Sequence, residues 1–168
     1  MQFSTLFITL FASVGITLAA PTPGTKRTTC QRALSDINGF NVIYRPDMIH
    51  VHRNTNVSFI VPPNASGPCT LVGDFPANFD IYDSSVQAGG QPLQVNIFDI
   101  DGPTHGSLLG TTQFPVAGPD QKTKEASKRT INSFACREKM DFRFEAAELG
   151  TVEFMQTNDA GIFLEYGC

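Results

Sequence analysis

No tryptophan occurs in the sequence, and only three tyrosines and three histidines accompany its fourteen phenylalanines. Carbohydrate-binding faces usually offer flat aromatic rings, so that reading has only Tyr44, Tyr82 and Tyr166 to draw on, two of them in strand-like runs. No CxxC or CxH spacing is present, which removes the usual zinc frameworks. No nucleophile-elbow spacing is present either, which speaks against hydrolase chemistry. There is no surplus of basic charge: the net charge is −4, a balance that disfavours nucleic acid and anionic membrane surfaces as partners. The chain has no internal repeats and no low-complexity segment. No apolar tail closes it, so no anchor of the GPI type is expected.

What is there begins with residues 1–19, which read as a secretory signal peptide. The core Leu6-Phe7-Ile8-Thr9-Leu10-Phe11-Ala12 is apolar, and Thr17-Leu18-Ala19 brings small residues to a cut after Ala19 or Ala20. Only the amino terminus supplies positive charge before that core. Ser, Thr and Gly break the run, and no stop-transfer flank follows, so cleavage is favoured over a membrane anchor. Residues 20–29 are rich in Pro, Gly and Thr and are expected to be disordered. They carry Lys26-Arg27, which is either the end of a short propeptide cut by a kexin-type protease or a plain basic pair in a tail. A second pair, Lys128-Arg129, adjoins the strand leading to Cys136, where folding is expected to shield it.

Residues 30–168 are enough for one domain with a real core. All four cysteines, Cys30, Cys69, Cys136 and Cys168, lie in it. An even count in an exported chain implies two disulfides. Three pairings are open. Cys30–Cys168 with Cys69–Cys136 is favoured, because the first would tie the ends of the domain together and the second would join two strand starts.

Alternation with a period of two recurs along the chain, the mark of strands with one buried face. It is clearest where Met140, Phe142 and Phe144 alternate with Asp141, Arg143 and Glu145. Val152 and Phe154 follow, alternating with Glu153, and then Ile162, Leu164 and Tyr166 after the turn residues 157–161. These three runs read as an antiparallel meander. Upstream, residues 40–44 and 48–53 read as strands separated by Arg45-Pro46-Asp47. Val57, Phe59 and Val61 make another, ended by Pro62-Pro63. Residues 69–75, the Leu93-Val95-Ile97 run and residues 108–114 complete the set. Residues 77–92 read as a long loop and residues 115–128 as a polar loop. About nine short strands at this spacing predict an all-β fold, an antiparallel β-sandwich stabilised by disulfides.

Two N-glycosylation sequons occur, at Asn56 and Asn64, the latter in a Pro/Gly loop. His50 and His52 flank Val51 and would share one strand face, but no third metal ligand is visible nearby. Asp99-Ile100-Asp101-Gly102 has part of a calcium-loop pattern and lacks its later ligands, so a hairpin turn is favoured. Asp80 and Asp83 read as solvated loop residues rather than an acidic site. Asp101, His105 and Ser107 can be named as a triad, without the spacing that would support one.

Cys69-Thr70-Leu71 leading to Phe75-Pro76, then Ser133-Phe134-Ala135-Cys136, then Gly161-Ile162-Phe163-Leu164-Glu165-Tyr166 resembles a fungal secreted domain family. That family is named after the C-terminal part of a yeast protein that binds a ubiquitin-like-activating enzyme. The resemblance spans about residues 57–168 and rests on apolar and cysteine motifs. It implies an extracellular or cell-surface β-rich domain without established catalytic residues, and no functional residue transfers with it. The expectation is a secreted, non-catalytic module, structural or binding, at the cell wall or in the extracellular space. No cofactor, metal, nucleic acid or membrane span of the mature chain is expected. A cell-wall polysaccharide or an extracellular protein is the kind of partner such a module would meet. The rival readings are a secreted hydrolytic or metal-dependent enzyme and a host-directed effector.

Overall fold

The computed structural model describes residues 29–36, 39–44 and 55–168. The signal segment, Lys26-Arg27, the run 48–53 and its His50 and His52 lie outside the described residues. In chain order the elements are β1 (Gln31–Leu34), β2 (Gly39–Tyr44), β3 (Thr55–Ile60), β4 (Pro68–Phe75), β5 (Ile81–Asp83), α1 (Ser84–Gln87), β6 (Gln94–Asp99) and β7 (Leu108–Gln113). They continue with β8 (Val116–Ala117), β9 (Lys122–Thr123), β10 (Ser127–Ala135), β11 (Lys139–Ala146), β12 (Thr151–Gln156) and β13 (Gly161–Tyr166). The all-β, antiparallel architecture is the expected one, with more and shorter strands than about nine.

Two four-stranded sheets form the sandwich, in the orders β1-β13-β4-β10 and β3-β11-β6-β7. Their edges meet on both sides. At one side Ser35 bridges Phe59, the Asp36 N–H donates to the Ser58 carbonyl, and the Ser58 N–H donates to Asp36 Oδ1. At the other, Asn132 Nδ2 donates to the Leu109 carbonyl at 2.6 Å and Arg129 Nη1 to that of Gln113 at 3.2 Å. Such linkage protects sheet edges that would otherwise invite pairing with another chain. A third sheet, β2-β12-β5, and the small β8–β9 hairpin complete the fold.

The alternation in the last third of the chain marks buried faces as expected. Met140, Phe142, Phe144, Val152, Phe154, Ile162 and Leu164 all belong to one hydrophobic cluster. The meander does not form. β11 pairs with β3 and β6, β12 with β2 and β5, and β13 with β1 and β4, so the three consecutive strands enter three different sheets. Alternation fixes which face of a strand is apolar but says nothing about its neighbours. The chain changes sheet after β11 at Gly150. A Cβ there would stand 2.3 Å from Leu93 Cδ1 and 2.8 Å from Ser84 Oγ, so a larger residue would have to push both side chains aside. β13 is also buried on both faces. Its Phe163 lies under the Arg32 guanidinium at 4.6 Å, and its Glu165 accepts from Arg32 Nε at 3.0 Å and Lys128 Nζ at 2.7 Å. That pairing answers the cost of burying a charge.

The expected long loop 77–92 holds β5 and the single turn α1. Asp83, expected to be solvated, is fully buried and organises this segment. Its Oδ1 accepts from the Ser85 and Val86 N–H groups at 2.9 and 3.3 Å, an N-cap, and its Oδ2 accepts from the Leu93 N–H at 2.8 Å. Both disulfides take the favoured pairing. Cys30–Cys168 and Cys69–Cys136 bring Cα atoms to 4.5 and 5.0 Å, and no cysteine is free.

Candidate functional site

The acidic turn after β6 is the first place to look for chemistry. Asp99 Oδ1 accepts from the Gly102 N–H at 2.8 Å, while Oδ2 accepts from the Thr104 N–H at 3.1 Å and the Thr104 hydroxyl at 2.7 Å. Arg137 Nη2 adds charge at 3.7 Å from Asp99 and 3.0 Å from Asp101. A Cβ on Gly102 would fall 2.2 Å from Asp99 Oδ2, so glycine lets the carboxylate close over the turn. The oxygens thus face N–H and O–H donors, which makes this a hairpin turn and not a calcium loop. Burial alone would push the Asp99 carboxyl up, but the Thr104 hydroxyl, the two backbone donors and Arg137 outweigh it and hold the group below the ordinary carboxylate range.

A carboxyl lowered in the folded state contributes stability above its ordinary value and loses that contribution as pH falls through the folded one. Asp99→Asn is therefore expected to cost about 1–3 kcal/mol at neutral pH. The gap to the native protein should begin to narrow below about pH 4, where the unfolded chain's carboxyl takes up a proton, and close as pH falls through the lower value of the folded one. Urea melts of both proteins from neutral to acid pH test this, and a gap independent of pH would contradict it.

Asp101, His105 and Ser107 do not assemble. Asp101 Oδ1 accepts from Arg137 and from the Asp141 N–H, His105 Nδ1 lies against the Ile100 carbonyl, and the Ser107 N–H donates to the Thr104 carbonyl. No hydrogen bond joins the three. Asp80 is exposed and pairs with Lys122 at 2.6 Å. Among the described residues, no three His, Cys, Asp or Glu side chains gather as metal ligands, and no helix is long and apolar enough to cross a membrane. Lys128 and Arg129 sit inside β10, paired with Asp74 and Gly73, so a protease that needs a free extended strand meets a sheet instead. The Asn56 and Asn64 side chains are both exposed. Asn64 lies in the turn after β3 and Asn56 within β3 itself.

The third sheet carries polar groups without partners. Its inner face is anchored by Phe154, whose ring meets those of Phe75 and Phe114 at 5.3 and 5.1 Å. On its outer face Tyr82 of β5 stands directly across from Glu153 of β12. Tyr82 and the neighbouring Met155 are 41 and 48 % exposed. In the backbone register, positions 40, 42 and 44 of β2 pair with Met155, Glu153 and Thr151. Tyr166, by contrast, is buried and offers no platform.

Beside β5 an open cavity of about 310 Å³ is lined by Asn78, Tyr82, Gln121, Glu153 and Met155 among others. Gln121 closes the free edge of β5. Its carbonyl accepts from the Ile81 N–H at 2.9 Å and its side-chain Oε1 from the Asp83 N–H at 2.8 Å. Because a backbone N–H can only donate, that contact fixes which end of the amide is oxygen. The other end, Nε2, is buried and has no partner among the described residues, an arrangement that costs about 1–3 kcal/mol. Gln121 and Asn78 are also the non-glycine residues with positive φ among those described, at 56° and 61°. Asn adopts left-handed backbone readily, whereas for Gln121 it costs on the order of 1 kcal/mol or more and persists because the surroundings impose it. The Glu153 carboxylate makes no hydrogen bond or ion pair within the described residues.

No family model, no curated protein and no solved structure matches the chain.

Tyr82 was legible as an aromatic candidate, and Glu153 as the outward residue of an alternating strand. Gln121 and Asn78 carried no signal. Their importance comes from backbone angles and partners that the loop reading of residues 77–92 and 115–128 does not contain.

Proposed function

We propose that the protein is an exported, non-catalytic module, binding or structural, at the cell wall or in the extracellular space. One contrast supports this reading. The acidic and hydroxyl groups that could serve catalysis hold turns and strand ends, as Asp83 and Asp99 do, while the unpartnered Glu153 carboxylate stands beside the exposed Tyr82 ring on one open sheet face. Two disulfides suit an oxidising compartment. The exposed sequons Asn56 and Asn64 would accept glycans along that route. The resemblance to a fungal secreted family points the same way.

The test is retention of the mature protein on chitin, β-glucan and an immobilised secretome, with elemental analysis of the same preparation. Specific retention on one of these, without turnover and without stoichiometric metal, is the expected result. Hydrolysis of a retained polymer would overturn the non-catalytic reading. So would stoichiometric copper or zinc that is lost in a His50→Ala, His52→Ala double variant.

A further inference from the structure

We propose that the cavity beside β5 binds a neutral, hydroxyl-rich ligand, one saccharide ring of a glycan chain, stacked on Tyr82 between the Gln121 amide and the Glu153 carboxylate. This assignment rests on the reading of the protein as an extracellular binding module and names its site and ligand class.

The chemistry of the lining selects the ligand. Gln121 Nε2 is a buried donor with nothing to donate to among the described residues, so the ligand must accept. Glu153 is an acceptor with no donor among them, so the ligand must also donate. A hydroxyl does both. An ammonium carries donors only and would leave Nε2 unsatisfied. A phosphate or carboxylate would meet Glu153 with like charge. Tyr82 offers an exposed ring next to the carboxylate in cross-strand register, a distance one ring can bridge. The cavity's size, about 310 Å³, is at the small end for ligand sites and suits one ring. Its open mouth leaves room for the rest of a chain.

The backbone adds an independent mark. The two left-handed non-glycine residues among those described both line this one cavity. Strain of this kind concentrates at ligand sites. Capping the β5 edge accounts for the Gln121 carbonyl and Oε1, but not for the amide nitrogen, which is buried in a residue of the cavity lining and has no partner among the described residues.

The experiment is calorimetric titration of the mature protein, disulfides intact, with laminarihexaose, chitohexaose and cellohexaose, and with 1,5-diaminopentane as the cationic probe. Three variants accompany it. Tyr82→Ala removes the ring at an exposed position, and Tyr82→Phe keeps it. Gln121→Glu keeps the acceptor for the Asp83 N–H and deletes the free donor. One of the oligosaccharides is expected to bind, with affinity falling about tenfold or more in Tyr82→Ala and in Gln121→Glu. Tyr82→Phe should stay within about threefold of native, because the stacking face is kept. Each variant's melting curve confirms that it folds, and Tyr82→Ala carries the test if Gln121→Glu does not. Native-like affinity in the variants would overturn the cavity assignment while leaving the binding-module reading intact. Binding of the diamine and not the sugars would overturn the ligand class. Retention on a wall polymer with no response to any oligosaccharide would reject this cavity as the contact. No binding to sugars, polymers or secretome would remove both readings together.

Discussion

Phe142→Ala is expected to destabilise the protein by about 3–5 kcal/mol. The ring is fully buried at the centre of β11. Its edge meets Phe59 of the adjacent β3 at 6.0 Å, and it tilts against Phe134 of β10 at 5.4 Å. Phe59 lies in its own sheet and Phe134 in the opposite one, so the ring joins the two layers. Truncation removes both the transfer energy of the ring and the contacts around the space it leaves. A well-packed core between two sheets joined at both edges collapses poorly into such a gap. For a chain of this size the loss should lower the melting temperature by roughly 10 °C. An unchanged melting temperature would mean that β11 presents its other face to the core.

Removing the Cys30–Cys168 bridge should cost about as much or more. The two cysteines are 138 residues apart in sequence, and closing a loop of that length is worth about 5 kcal/mol in the chain-entropy model. For Cys69–Cys136 the separation is 67, and the same model gives about 4 kcal/mol. The longer bridge also anchors β1, which pairs with β13 through only four residues and carries the Arg32 partner of Glu165. A Cys30→Ala, Cys168→Ala double variant should therefore melt far below the native protein and release the β1 edge first. Two measurements check this. The native protein, alkylated without reduction, should take up no reagent, and its digest should contain only the two linked peptides of the observed pairing. Reagent uptake at any cysteine, or a double variant as stable as the native chain, would contradict the role given to this bridge.

Legibility in the sequence depends on the physical content of each signal. Strand faces reflect local side-chain order, so Val57, Phe59, Met140, Phe144 and Ile162 could be placed in a core from alternation alone. Strand partners depend on contacts between distant segments, and nothing near β11, β12 or β13 distinguished a meander from three crossings. Short elements held by one side chain were also hidden. β5 has three residues, too few for a pattern, and exists as an ordered strand because Gln121 caps its edge and Asp83 ties down the helical turn after it. The turn at Asp99 was legible because Asp and Gly mark reversals by themselves. Its depth of burial was not, since that comes from Arg137 and Thr104. Tyr82 and Glu153 could be named in the sequence, but their facing positions could not.

The most direct test of where this protein meets its ligand is an amide chemical-shift map of the isotope-labelled mature protein, titrated with laminarihexaose and with chitohexaose. If the free polar groups of the third sheet form the binding surface, shifts will concentrate in residues 78–83, 119–123 and 151–155. Shifts centred instead on the turn at residues 99–107, with residues 78–83 and 119–123 silent, would place the chemistry at the acidic turn and contradict the assignment.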